Sequence, residues 1–142
     1  MIASRLPLTV VIVIIVGLAV TGNLFSRSPV VIALQMGAVA FNLWARRSFP
    51  KEAFRVEAVP AASSVMRHGP YRFVRHPMYS SVLLLIWAGI ASHASRGTLA
   101  VGLAVTAIVV TRIVAEERLL RSHYPDYPEY ARTTKALVPF VV

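Results

Sequence analysis

The sequence predicts an all-α integral membrane protein: about four transmembrane helices and a cytoplasmic or interfacial helix near the C-terminal end. Three observations predict it. Of the 142 residues, 56% are hydrophobic and 15% charged, where a soluble domain carries roughly a quarter charged residues. Mean hydropathy is +0.64. The apolar residues also fall in four blocks, each near the roughly 17–25 residues that a helix needs to cross a bilayer. A single polytopic domain over residues 1–142 follows, with spans at about 6–25, 29–45, 77–93 and 98–114.

The first block has VVIVIIVGLAV at its heart and Arg5 before it. A signal peptide would have a shorter apolar region and a small-residue cleavage site, so a retained helix is expected. Asn23, Ser26, Arg27, Ser28 and Pro29 make a polar turn. Pro29 suits the first position of the second helix, where its missing N–H costs nothing. Gln35 and Asn42 inside that helix are expected to face other helices, because amides avoid lipid. Residues 46–76 form a long polar segment, with Arg46 and Arg47 at its start and an irregular stretch at Pro60, Ala61, Ala62, Ser63 and Ser64. Pro77 opens the third helix as Pro29 opens the second. His93 to Gly97 make a tight turn, so the third and fourth helices form an antiparallel hairpin. Small residues at Ala88 and Ser92, and at Ala100 and Ala104, permit close approach. Beyond Val114 the fourth helix runs on as a polar helix, with Glu117 and Arg121 one turn apart on one face. Pro125 and Pro128 interrupt it. A short helix over residues 127–136 is expected at the interface, with Tyr124, Tyr127 and Tyr130 at headgroup level and Pro139 ending it.

Charge sets the orientation. The net charge is +9, and with four spans 13 of the 15 Lys and Arg residues fall on one side. The positive-inside bias places that side, with both termini, in the cytoplasm, at the inner membrane if the cell is bacterial. This distribution explains the basicity through membrane lipids, so nucleic acid is not an expected partner. The chain has no cysteine, which removes disulfides, thiolate nucleophiles and Cys-type zinc sites from consideration.

Chemistry concentrates in segments 67–79 and 112–139. Arg75, His76 and Tyr79 lie just before and inside the third helix; Arg112, Glu116 and Glu117 lie at the inner end of the fourth. An antiparallel hairpin brings these ends together. A charge at Arg112 inside a span costs roughly 2.5–3.5 kcal/mol unless it is compensated, so Glu116 or Glu117 is its expected partner. The plain structural alternative is an ion-pair lock with snorkelling side chains. A simple anchor needs neither histidine nor paired acids, whereas cations beside carboxylates suit a zwitterion, and aromatic rings suit an adenine or a sulfonium. His68 and His76 lack helical i,i+4 spacing and no HExxH or cysteine cluster is present, so no metal is expected. His93 reads as a polar turn residue and His123 as interfacial.

His68-Gly69-Pro70-Tyr71-Arg72-Phe73-Val74-Arg75-His76-Pro77-Met78-Tyr79 resembles the Gly-x-Tyr-x-x-x-Arg-His-Pro-x-Tyr signature of the isoprenylcysteine carboxyl methyltransferase family, a pattern that phospholipid N-methyltransferases share more loosely. Glu116-Glu117, Leu120, Tyr127, Tyr130 and Pro139 are similar to that family's ending. The resemblance covers about residues 65–140. It implies an S-adenosylmethionine-dependent membrane methyltransferase whose cofactor binds on the cytoplasmic side and whose lipophilic acceptor enters from the bilayer. By matching position, His68, Tyr71, Arg75, His76, Tyr79 and Glu116 would bind the cofactor, and Arg112 and Glu117 would act near the reacting groups. Three positions depart from the pattern. Many members have Gly where Ser81 and Pro125 stand, and Arg where Ala136 stands beside Lys135. A side chain at Ser81 is expected to narrow the cofactor's seat.

The implied mechanism is direct displacement, in which the protein aligns and desolvates the nucleophile. Arg112 would orient a carboxylate acceptor; Glu117 would take a proton from an amine. An NADPH-dependent membrane reductase with a similar pocket and a non-enzymatic lipid-binding component are the competing readings. The acceptor is expected to be a small lipophilic molecule or a lipid. Oligomeric state stays open, with a homodimer as one way to close the cavity.

Overall fold

The computed structural model describes residues 2–48 and 65–137, with the side chains of residues 2–8 excepted. Lys51, Glu52, Arg55 and Glu57, the irregular stretch from Pro60 to Ser64, and the stop at Pro139 lie outside the described residues. Among the described residues the elements are all helical: α1 (Ile2–Val20), α2 (Pro29–Ser48), a 3-10 turn (Gly69–Arg72), α3 (Pro77–Ser92), α4 (Arg96–His123) and α5 (Tyr127–Thr133).

The helix ends follow local chemistry. α1 stops at Val20, earlier than the expected boundary near residue 25. Gly22 takes φ +73°, and Asn23 N–H and Gly22 N–H turn back to the carbonyls of Leu18 and Ala19 at 2.8 and 3.1 Å. This glycine-capped reversal satisfies the last carbonyls of the helix. α4 starts with a reciprocal cap. Ser95 Oγ accepts from Thr98 N–H at 3.1 Å, and Thr98 Oγ1 accepts from Ser95 N–H at 2.9 Å, which brings the start of the helix forward to Arg96. Its polar extension runs to His123, as the sequence predicts.

The chain packs as two units, residues 1–39 with 82–112 and residues 40–81 with 113–142. In the first, Val11, Leu18, Leu24, Val31, Ile86, Ile90, Val105 and Val109 form the core. Gln35 is buried and donates to the Leu24 carbonyl in the α1–α2 turn at 2.7 Å and to the Leu85 carbonyl of α3 at 3.4 Å; the second bond is the interhelical role expected of it. Close approach falls on glycines; of the small residues singled out above, Ala88 is buried, and Ser92, Ala100 and Ala104 are exposed. A Cβ on Gly89 would strike the Leu24 carbonyl, and one on Gly102 would meet the Ile90 and Trp87 side chains. In the second unit Ala45, Val74, Ile113, Tyr127 and Tyr130 are buried. There Asn42 donates to Ser81 Oγ at 2.6 Å, and Ser81 Oγ donates to the Met78 carbonyl at 2.7 Å.

Among the described residues, two helices, α2 and α4, are long and apolar enough to cross a membrane; the shorter apolar helices are Thr9–Val20 within α1 and Pro77–Ser92. Two of the four expected spans thus meet that measure. Sixteen residues in α3 rise about 24 Å, against a hydrocarbon core of about 30 Å. Large apolar side chains face outward: Val13 is 64% exposed, Met36 68% and Leu103 63%. Water would penalise so much exposed apolar surface, whereas lipid tails solvate it.

Candidate functional site

The site is built within the second unit by the segment that enters α3, the polar end of α4, and the tail from α5 onward. Gly69 makes the first turn possible, with φ +61°, a conformation that costs an L side chain roughly 1–2 kcal/mol. The 3-10 turn it opens buries Tyr71. After it the chain is extended enough for Val74 to bridge Lys135 in parallel. Arg75 N–H and His76 N–H then donate to the carbonyls of Lys135 and Ala136 at 2.8 and 3.1 Å. Ser80 Oγ donates to the Leu137 carbonyl. The tail is therefore laced along the α3 entry by backbone bonds, which leaves the side chains of Arg75 and His76 for α4.

There they meet both glutamates. Arg75 Nε donates to Glu117 Oε1 at 2.8 Å, and Arg75 Nη1 donates to the carbonyls of Ala131, at 3.0 Å, and Thr134. His76 lies between the acids, Nε2 3.4 Å from Glu117 Oε1 and Nδ1 3.8 Å from Glu116 Oε2. The Tyr79 hydroxyl donates to Glu116 Oε1. Arg121 Nη2 reaches Glu117 Oε2 at 3.6 Å, the i,i+4 pair expected on α4. Burial of the imidazole holds the His76 pKa below its ordinary value, even though both carboxylates pull it upward.

Three buried tyrosines back this cluster. The Tyr130 hydroxyl donates to the Tyr71 carbonyl at 2.6 Å, and burial pushes its pKa up to about 12. Burial likewise raises the pKa of the Tyr71 and Tyr127 phenols. Tyr127 is 1% exposed, and its hydroxyl makes no hydrogen bond of good geometry to a described residue. The Glu117 carboxylate is close enough to oppose its ionisation. Both Tyr127 and Tyr130 rings are buried in the protein, so neither is a surface aromatic on α5. Their i,i+3 spacing puts them on one face of α5, and that face packs inward because the tail is tied down beyond it. The spacing was the available signal.

The geometry joins Arg75, His76, Tyr79, Glu116 and Glu117 directly, with Tyr71 attached through Tyr130. His68 sits at the end of α2, its Nε2 3.0 Å from the Ser48 carbonyl. Arg112 belongs to the other unit, one turn before Glu116 on α4. Ser81 is buried with its hydroxyl engaged by Asn42 and Met78. Sequence reasoning missed Ser80, Thr134 and the Lys135 carbonyl as parts of the structure. Among the described residues no group of three or more His, Cys, Asp or Glu side chains is placed to hold a metal ion.

A family model described as phospholipid methyltransferase matches residues 26–127, more than half of the chain. The cobalt-zinc-cadmium resistance protein CzcN of Cupriavidus metallidurans is 33% identical over 78 residues, covering 54% of this chain and 36% of that protein. The chain thus matches little more than a third of that relative's length. No solved structure matches.

Proposed function

Because the chain belongs to the phospholipid methyltransferase family, we propose that it is a membrane enzyme that uses S-adenosylmethionine to methylate a lipophilic acceptor, an amine or a carboxylate, at the cytoplasmic face. The observation that carries the reading is the ionic cluster itself, in which Arg75 and His76 meet Glu116 and Glu117 within one unit. The donor set fits the cofactor's amino-acid head at its ammonium, which the Glu116 carboxylate beside the Tyr79 hydroxyl would hold.

When bound, the cofactor supplies a methyl group made electrophilic by its sulfonium. The chain's own residues do the rest. Glu116 and Tyr79 bind the polar head, and Arg75 holds the tail across the α3 entry so that water is excluded. Glu117, paired with Arg75 and Arg121, is the fixed negative charge that keeps both arginines in place. Arg112, a turn earlier on α4, orients the acceptor.

Calorimetry on detergent-solubilised protein is expected to show binding of S-adenosylhomocysteine and none of NADPH. The reverse result replaces the methyltransferase with the reductase. Binding of neither, with anionic-lipid binding intact, leaves a headgroup clamp. Methyl transfer to extracted lipid should fall by about 100-fold or more in Arg112→Ala and Glu117→Gln; near-normal turnover in both removes that pair from the mechanism.

A further inference from the structure

Two consecutive serines stand in the first turn of α3. On a helix their side chains diverge by about 100°, so they leave that turn on different faces. Ser80 Oγ donates to the Leu137 carbonyl of the tail. Ser81, which is buried, turns to α2 instead. Its Oγ accepts from Asn42 Nδ2 at 2.6 Å and donates to the Met78 carbonyl at 2.7 Å. Asn42 Nδ2 also reaches the Met78 carbonyl, at 3.5 Å, and Asn42 Oδ1 accepts from Arg46 Nε at 2.8 Å.

These bonds form one row in which every donor meets an acceptor. Arg46 N–H points to the Asn42 carbonyl, Asn42 N–H to Ser81 Oγ, and Ser81 O–H to the Met78 carbonyl. Turning the Asn42 amide over would set its N–H groups against the Arg46 guanidinium, donor against donor. The row therefore joins the last turns of α2 to the first turn of α3 in one arrangement. Apolar contact between the helices would be non-directional, whereas hydrogen bonds fix an angle. With Ser80 tied to the tail and Ser81 tied to α2, the turn cannot rotate about its own axis. That turn carries Tyr79, whose hydroxyl meets Glu116, and His76 stands at its entry beside Glu117.

We propose that Asn42 is a positioning residue for the cofactor site: acting through Ser81, it sets the rotation of the first turn of α3 and so the placement of Tyr79. This rests on the methyltransferase reading above. The hydrogen bonds of Asn42 go to Ser81, Met78 and Arg46, none of them in the ionic cluster, so its influence passes through α3.

Three variants of the full chain in detergent test the inference: Ser81→Ala, Asn42→Leu, and the two combined. Each is followed by its thermal midpoint, by binding of S-adenosylhomocysteine, and by ¹⁹F NMR after labelling with 3-fluorotyrosine. Among the five tyrosines, the signals of Tyr79 and Tyr130 are assigned by their loss in Tyr79→Phe and Tyr130→Phe. Ser81→Ala leaves the Asn42 amide without its nearest partner and should lower the midpoint. The combined variant removes both partners at once and should recover most of that loss. Affinity should not recover with it. The dissociation constant is expected to rise about tenfold in Ser81→Ala and in the combined variant alike, with the Tyr79 signal displaced in both and the Tyr130 signal unmoved. An affinity that stays at the parent value, or that returns with the midpoint in the combined variant, makes the row a stabilising contact only and overturns the proposal. A Tyr79 signal at its parent position overturns it as well, and in each of these cases binding by the parent protein leaves the methyltransferase standing. A parent protein that binds no S-adenosylhomocysteine overturns both.

Discussion

Gly69 shows how one residue without a side chain shapes the site. Its φ of +61° opens the turn that buries Tyr71 and aims the chain at α3. Any Cβ there would also overlap the Ser48 side chain at the end of α2. Gly69→Ala should therefore cost about 1–2 kcal/mol from backbone conformation, plus the displacement of Ser48. A lowered thermal midpoint in detergent checks it; an unchanged midpoint means that the turn relaxes elsewhere. His76 makes a second residue-scale prediction. Burial depresses its folded pKa below the ordinary 6.5. Between the folded and unfolded values the unfolded chain binds the extra proton, so stability is full above about pH 6.5 and falls as the pH drops below it. Melting at about pH 7.5 and about pH 5.5 should show the loss, and His76→Gln should reduce the difference. An equal slope in the variant would assign the acid sensitivity to another group.

At the scale of elements, the tail from α5 onward is held by the segment entering α3 more than by contacts of its own. α5 has only seven residues, too few to persist alone. Arg75 closes its C-terminal end through the Ala131 and Thr134 carbonyls and ties it to Glu117. Arg75→Ala removes one partner of a largely buried pair, a change that typically costs about 3–5 kcal/mol. Trypsin should then cut after Arg132 or Lys135 at least about tenfold faster than in the parent protein, since cleavage tracks local opening; unchanged cleavage would show that the backbone lacing suffices. Tyr130→Phe should loosen the same region by about 1–3 kcal/mol, the penalty of an unpaired buried acceptor, here the Tyr71 carbonyl. These elements also show what was legible beforehand. α4 was readable to its end because an apolar run flows into i,i+4 charged pairs. Arg75, His76, Tyr79, Glu116 and Glu117 were readable as neighbours because a short turn forces an antiparallel hairpin. The early stop of α1 was written in Gly22, yet hydropathy alone carried the helix past it. The Val74–Lys135 bridge was not legible, because a single non-local pairing has no periodicity.

At the scale of the whole molecule, two helices among the described residues meet the length of a span and two apolar helices are shorter, and labelling from either side of the membrane fixes which of them cross. The charge pattern makes a definite case. The two short connections of the four-span arrangement carry Arg27 and Arg96, and the other thirteen basic residues lie on the opposite side. Reversing the orientation would carry those thirteen charges across, against the positive-inside bias. The chain has no cysteine, so single cysteines can report position without a background. Arg27, Ala94, Ser122 and Arg132 are all exposed. A membrane-impermeant maleimide added to intact cells or spheroplasts should label Arg27→Cys and Ala94→Cys, and should label Ser122→Cys and Arg132→Cys only after the membrane is opened. If Ala94→Cys and Ser122→Cys react from the same side, α4 does not cross. The ionic cluster would then lie on the same side of the bilayer as the α3–α4 turn, and the four-span arrangement would fall.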